Sequence, residues 1–130
     1  MYIGIASEGN DLAGMVAEQF KNCSHLLIVE VKDHYAGEIA EIIGVTAIEN
    51  KKTDSGMQLA GELAKHDCEA VISGELEPAV FDFIADSCIT RYNGAGHPAN
   101  IALDLMEKRE LKLIRNLKGT DECDDSHHNH

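Results

Sequence analysis

From Thr53 onward the sequence alternates between two periods, and that alternation confines the chain to a layered α/β fold. Met57, Ala60, Leu63 and Ala64 recur at helical spacing behind Thr53-Asp54-Ser55, which offers an N-cap. Glu69-Ala70-Val71-Ile72-Ser73-Gly74 is a compact apolar strand closed by glycine. Pro78 then opens a second helix with Val80, Phe83 and Ile84 on one face. Cys88 to Tyr92 forms the next strand, and after the Gly94/Gly96 turn Pro98 takes the first position of a third helix. Ile101, Ala102, Leu105 and Met106 give that helix its buried stripe. Strands joined through a helix lie parallel, and each helix must bury its apolar face against the sheet.

The first half contributes strands without helices. Tyr2 to Ser7 and Leu26-Leu27-Ile28-Val29-Glu30-Val31 are short apolar runs rich in branched residues, and both read as buried strands. Residues 38 to 48 fit either period: Ile39, Ile42 and Ile43 suit a helix, whereas Ile43, Val45 and Ala47 alternate. The turn-like Lys32-Asp33-His34-Tyr35-Ala36-Gly37 favours a hairpin and hence a strand. The expected architecture is a mixed five-stranded sheet covered by helices. Residues 1–118 form one domain, followed by a polar tail, 119–130, too poor in apolar groups to pack.

Charge narrows the function classes. The net charge is −12, and without the tail 19 acidic residues still face 11 basic ones, a charge of −8. Nucleic-acid surfaces present a basic stripe, and the one basic cluster here, Lys108, Arg109, Lys112, Arg115 and Lys118, lies at and beyond a helix C-terminus, where such charges complement the helix dipole. Nucleic acid is therefore not an expected partner. No apolar run approaches the roughly 18 residues of a membrane span, and Met1-Tyr2-Ile3-Gly4-Ile5-Ala6 lacks a basic flank, so no membrane contact and a cytoplasmic location are expected. Cys23, Cys68, Cys88 and Cys123 are far apart, which argues for reduced thiols. Core packing is expected of Cys68 and Cys88.

Ligands of such sheets collect at the carboxyl ends of the parallel strands. Three turns belong there: Ser7-Glu8-Gly9-Asn10-Asp11, Gly74-Glu75-Leu76-Glu77 and Asn93-Gly94-Ala95-Gly96-His97. The last sets an imidazole beside a helix N-terminus, whose free N–H groups suit an anion, while the ring suits a metal; the plain alternative is a tight turn with a solvated histidine. Gly94-x-Gly96-x-x-Ala99 is not a dinucleotide fingerprint, because it opens the last helix instead of following the first strand. A two-metal nuclease would draw on Glu8, Asp11 and Glu75, but these lie in loops and the overall charge opposes its substrate.

Several segments in this order carry a family resemblance: Ile3-Gly4-Ile5-Ala6-Ser7; Phe20 before Leu26-Leu27-Ile28-Val29; Gly56-Met57-Gln58-Leu59-Ala60 with Leu63-Ala64; Ala70-Val71-Ile72-Ser73-Gly74 followed by Pro78-Ala79-Val80-Phe81; and the Gly96 turn opening an alanine-bearing helix. Residues 1 to about 110 thereby resemble the dinitrogenase iron-molybdenum cofactor biosynthesis family, small domains related to NifX, NafY and the C-terminal part of NifB. The resemblance implies a ribonuclease H-like α/β fold with sheet order 3-2-1-4-5 and the binding or carriage of iron-sulfur or iron-molybdenum clusters. Family members often place a His-Phe-Gly-Arg-like segment ahead of the second strand. Here Gln19-Phe20-Lys21-Asn22 stands there, followed by Cys23 and His25.

The expected function is a non-catalytic carrier or chaperone of such a cluster, with cluster donor or acceptor proteins as partners and a monomer or weak dimer as its state. The alternative is an interaction or regulatory module that kept the fold without the cluster. The candidate cluster site comprises Cys23, Asn93, Gly94, Gly96 and His97. Cys23 would be a soft ligand in place of the missing histidine, or simply a small buried residue at a strand entrance. In the tail, Cys123, His127, His128 and His130 put four thiol and imidazole donors in eight residues, a set suited to a transition metal, against the plain reading of a solvated tail. Truncation after Lys118 is expected to leave the metal-free melting temperature nearly unchanged, because residue 119 onward buries almost no apolar surface; calorimetry of the two forms checks this.

Overall fold

The computed structural model describes residues 1–32, 41–52 and 56–114. Strand β1 (Tyr2–Ser7) is the hub: β2 (His25–Val31) pairs with it antiparallel on one side and β4 (Ala70–Ser73) pairs parallel on the other. Outward from these, β3 (Ile42–Glu49) is antiparallel to β2 and β5 (Thr90–Asn93) is parallel to β4. Helices α1 (Met57–Lys65), α2 (Pro78–Asp86) and α3 (Ala99–Glu107) supply the crossovers. The mixed sheet and its expected order are present, with one addition. Lys112–Leu113 forms β6, antiparallel to β5, so the order is β3-β2-β1-β4-β5-β6 and the sheet has six strands. Two residues show no period in a sequence; β6 exists because the Ile114 N–H and C=O bond Arg91 and because Ile114 is buried.

Alternation along the strands splits the core. Ala6, Leu26, Ile28 and Val71 face Leu59, Ala60, Leu63, Val80 and Ile84 of α1 and α2. Ile3, Ile5, Leu27, Val29 and Ile72 face Ala99, Ala102, Leu103 and Met106 of α3. Of the expected α3 stripe Ala102 and Met106 are buried, but Ile101 is 44% exposed and Leu103, only 1% exposed, takes its place in the core. The phase is set at the helix entry, where the Ala99 and Asn100 N–H groups bond the carbonyls of Gly14 and Leu12. Pro98 itself is extended, at the N-cap, one residue before the expected place.

Smaller differences have local causes. The strand expected at 88–92 starts at Thr90, because Cys88 takes a left-handed conformation, φ 61°, in the turn that ends α2. Cys88 is consequently exposed, contrary to its expected packing role, while Cys68 is buried as expected. Gly56 caps α1 with φ 94°, beneath Phe20, where a Cβ would lie 2.9 Å from the ring. The Thr53–Ser55 cap, most of the 32–37 turn and the whole tail lie outside the described residues. No helix among the described residues is long and apolar enough to cross a membrane.

What positions the site is the connection from β1 to β2, which runs across the carboxyl ends of β1, β4 and β5. Val16 bridges Ser7, Met15 bridges Pro98 and Gln19 bridges Glu75. Gly74 N–H donates to Ala17 O and Glu75 N–H to Glu18 O, at 2.9 and 2.7 Å. Gly74 must be glycine here, since a Cβ would stand within 2.1 Å of the Glu18 carbonyl oxygen. Gly74→Ala is expected to destabilise the domain by about 1–3 kcal/mol, because fixed backbone leaves nothing to yield; a urea titration measures it.

Candidate functional site

The three turns expected at the carboxyl edge do meet there, joined by the segment that crosses them. Between the first two of them and the crossing segment lies an open cleft of about 360 Å³ lined by Glu8, Glu18, Gln19, Asn22 and Glu75. Its polar groups are cross-braced: Gln19 Nε2 donates to Glu75 Oε1 at 3.2 Å, and Asn22 Nδ2 donates to Gln19 Oε1 at 2.6 Å. Beside it Lys21 Nζ contacts Glu77 at 2.9 Å, and that hydrogen bond and charge hold the Lys21 pKa above its ordinary value. Three carboxylates on one cleft favour a cationic visitor. Sequence reasoning singles out Glu8 and Glu75, reaches Gln19 and Asn22 only as the departure from the family's His-Phe-Gly-Arg-like segment, and does not reach Glu18, which lies in a crossing segment with no periodicity to read. Asp11, grouped with Glu8 and Glu75 from the sequence, is occupied within its own loop, accepting from Ala13 N–H.

The Asn93 to His97 turn is built by its side chains and by want of them. Asn93 Oδ1 accepts the Ala95 N–H at 3.1 Å. Gly94 is buried, and a Cβ there would meet Ile72 at 2.4 Å; Gly96 is exposed with φ 93°, the left-handed backbone that favours glycine. The imidazole of His97 is half-buried and makes no hydrogen bond among the described residues, while its backbone is fully engaged, N–H to Gly94 and C=O from Val16. The helix start behind it is not the open anion cradle read from the sequence. The N–H groups of Ala99, Asn100 and Ile101 already bond Gly14 O, Leu12 O and Asn100 Oδ1. The chemistry left at the turn is the His97 ring.

Cys23 lies elsewhere. It packs in the core cluster with α1 and α2, on the opposite face of the sheet from α3, which the His97 turn opens; the structure does not bring the two together. Its side chain is fully buried, and burial, reinforced by the Glu8 charge, pushes the thiol up to about 11. A neutral, covered thiol fits the packing reading of the two, because only a thiolate ligates well. Asn50, which the sequence did not suggest, holds this corner: Nδ2 donates to Lys21 O and Cys23 O, lies 3.8 Å from Cys23 Sγ, and Oδ1 accepts the Lys52 N–H. Among the described residues no three His, Cys, Asp or Glu side chains form a metal-holding group, and the Ser73 hydroxyl is buried with no partner. Cys123, His127, His128 and His130 lie outside the described residues.

Fold and edge together define a small α/β domain with an open acidic cleft at the carboxyl edge of a mixed sheet. Residues 1–109 match the dinitrogenase iron-molybdenum cofactor family, so the chain belongs to that family. Among solved structures, a candidate dinitrogenase from Methanocaldococcus jannaschii shares 21% identity over 89% of this chain and 96% of its own, with a TM-score of 0.69. A candidate NifB protein from Thermotoga shares 21% over 88% and 94%, TM-score 0.70. The apo form of the orange protein from Desulfovibrio gigas shares 19% over 86% and 91%, TM-score 0.68. No curated protein matches the sequence.

Burial of the thiols has a pH consequence. Cys23 and Cys68 both have thiol pKa values raised from 9.0 to about 11, so the folded state keeps protons that the unfolded chain releases. That contribution is complete below pH 9 and is lost as pH rises to 11. Melting temperature is expected to fall across this window, and iodoacetamide at neutral pH is expected to modify Cys88 well before Cys23 or Cys68; mass mapping of the native protein checks the order.

Proposed function

We propose that this chain is a non-catalytic carrier or chaperone for an iron-sulfur or iron-molybdenum-type cluster, working in the cytoplasm between cluster donor and acceptor proteins. The observation that carries this is the family match, which spans all three carboxyl-edge turns. The orange protein's solved apo form supports it by analogy, as a related fold that stands without its bound group. In this reading His97 is the protein ligand, presented by the Gly94–Gly96 turn with Asn93 holding the loop. The buried Cys23 serves packing, and the tail donors Cys123, His127, His128 and His130 capture or deliver metal. With few side-chain ligands in reach, the cargo keeps most of its own ligands and is handed on whole.

A second reading has its own support. The carboxylates of Glu8, Glu18 and Glu75 repel an anionic cluster and suit a cationic protein surface, as in an interaction module that has lost cluster binding. Anaerobic reconstitution with iron and sulfide separates the two: charge-transfer absorption retained by the purified domain supports the carrier, and its absence supports the module. For the carrier, His97→Ala is expected to weaken cluster retention at least tenfold while shifting stability by less than about 0.5 kcal/mol. Gly96→Val is expected to lose about 1–3 kcal/mol of stability from a branched residue at positive φ, and retention along with it. Unchanged retention in His97→Ala makes the turn a structural corner.

A further inference from the structure

Asn93-Gly94 is the one asparagine-glycine pair in the chain, and it lies in the turn that carries His97. Such a pair has a reactivity of its own. The Gly94 backbone nitrogen can attack Cγ of the Asn93 side chain, since no Cβ on residue 94 hinders the approach. The new C–N bond closes a five-membered imide while the side-chain amide leaves as ammonia. Water then opens the ring, giving either aspartate or isoaspartate, whose extra main-chain carbon lengthens the backbone. The glycine cannot be exchanged to remove the hazard, because a Cβ at residue 94 would stand 2.4 Å from Ile72. The packing that closes the turn therefore also installs the reactive pair.

We infer that Asn93-Gly94 is a deamidation site, held latent by the folded carboxyl edge and released by local opening of the turn. Three features of the closed turn oppose the reaction. The nucleophile is occupied: Gly94 N–H donates to Ser73 O at 2.9 Å, and this proton must leave before the nitrogen attacks. The side-chain amide is anchored, its Oδ1 accepting the Ala95 N–H at 3.1 Å. The backbone is extended, since Asn93 ends β5 between Ser73 and Lys112, whereas the imide ring requires Asn93 to rotate out of that conformation. One motion releases all three. His97 N–H bonds Gly94 O and Val16 N–H bonds His97 O, so lifting Gly94 off Ser73 also loosens the His97 turn from the crossing segment. Of the two products, aspartate retains an oxygen for the Ala95 N–H, while isoaspartate breaks the register of β5 and marks the turn irreversibly. The chemistry is the same whatever the site binds.

Peptide mass mapping of the full chain, incubated at mildly alkaline pH both natively and in denaturing urea, tests this. In urea Asn93 is expected to convert before any other asparagine. In the native protein its conversion is expected to be at least about tenfold slower, because it proceeds only from the open fraction. Val16 packs over Gly94, 3.5 Å from where a Cβ would stand. Val16→Ala is expected to raise the native rate about fivefold or more, with unchanged circular dichroism and an unchanged rate in urea. Ile84→Val, in the core on the other face of the sheet, is expected to leave the native rate as it is. Amide hydrogen exchange reads the same opening without a variant: Gly94 N–H is expected to exchange at least about tenfold faster than the amides of β4. Equal native and denatured rates overturn the proposal, as does another asparagine converting first in urea or a native rate indifferent to Val16→Ala. Exchange at Gly94 no faster than in β4, or a native rate raised as much by Ile84→Val as by Val16→Ala, assigns the reaction to global unfolding and overturns the local gate.

Discussion

The segment from Gly14 to Phe20 is what the rest of this molecule leans on. It has no regular structure of its own, yet its backbone bonds the ends of β1, β4 and β5 in turn, through Ala17 N–H to Ala6 O, Gly74 N–H to Ala17 O and Val16 N–H to His97 O. Backbone groups buried at a sheet edge need partners, and here each loop satisfies another's. The consequence is a rigid carboxyl edge in which Glu8, Glu18 and Glu75, from three separate stretches of chain, line one cleft. Gly74 and Gly14 make the close approach possible, each with a Cβ position 2.1 and 2.9 Å from backbone of the opposing strand of this weave.

That same weave decides which groups remain available for chemistry. Helix α3 begins at the edge, but its first N–H groups are spent on the carbonyls of Leu12 and Gly14, so its electrostatic pull on an outside anion is already answered. Cys23 is closed off by Asn50 on one side and the α1/α2 core on the other, and its raised thiol pKa is the electrostatic expression of that closure. What remains is the half-buried His97 ring and the carboxylates that line the cleft. In the proposed carrier reading, such a domain would meet its cargo with few protein ligands, a property suited to letting that cargo leave again.

How much was legible beforehand follows from the range of each interaction. Strands β1, β2 and β4 and helix α2 follow from local periodicity and from the rule that crossovers are parallel, while the sheet order is what the family resemblance implies, and they stand as expected. The phase of α3 was misread because Ile101 and Leu105 match Ala102 and Met106 in spacing as well as Ala99 and Leu103 do; docking of the helix entry onto residues 12 and 14, far away in sequence, chose between them. Strand β6 was invisible because two residues carry no pattern, and Asn50 because its role is to bond carbonyls 27 and 29 residues away.

By itself the sequence determined the layered α/β architecture, the acidic charge, the Gly94/Gly96 turn and membership of a family, all properties that reside in local pattern or in composition. Tertiary structure alone decided that Cys23 and His97 belong to opposite faces, that Glu18, Gln19 and Asn22 join Glu8 and Glu75, and that β3 ends as an apolar edge. These depend on which distant backbone groups find each other. A hydrogen bond across 56 residues, such as that of Gln19 to Glu75, leaves no trace in the periodicity of either segment.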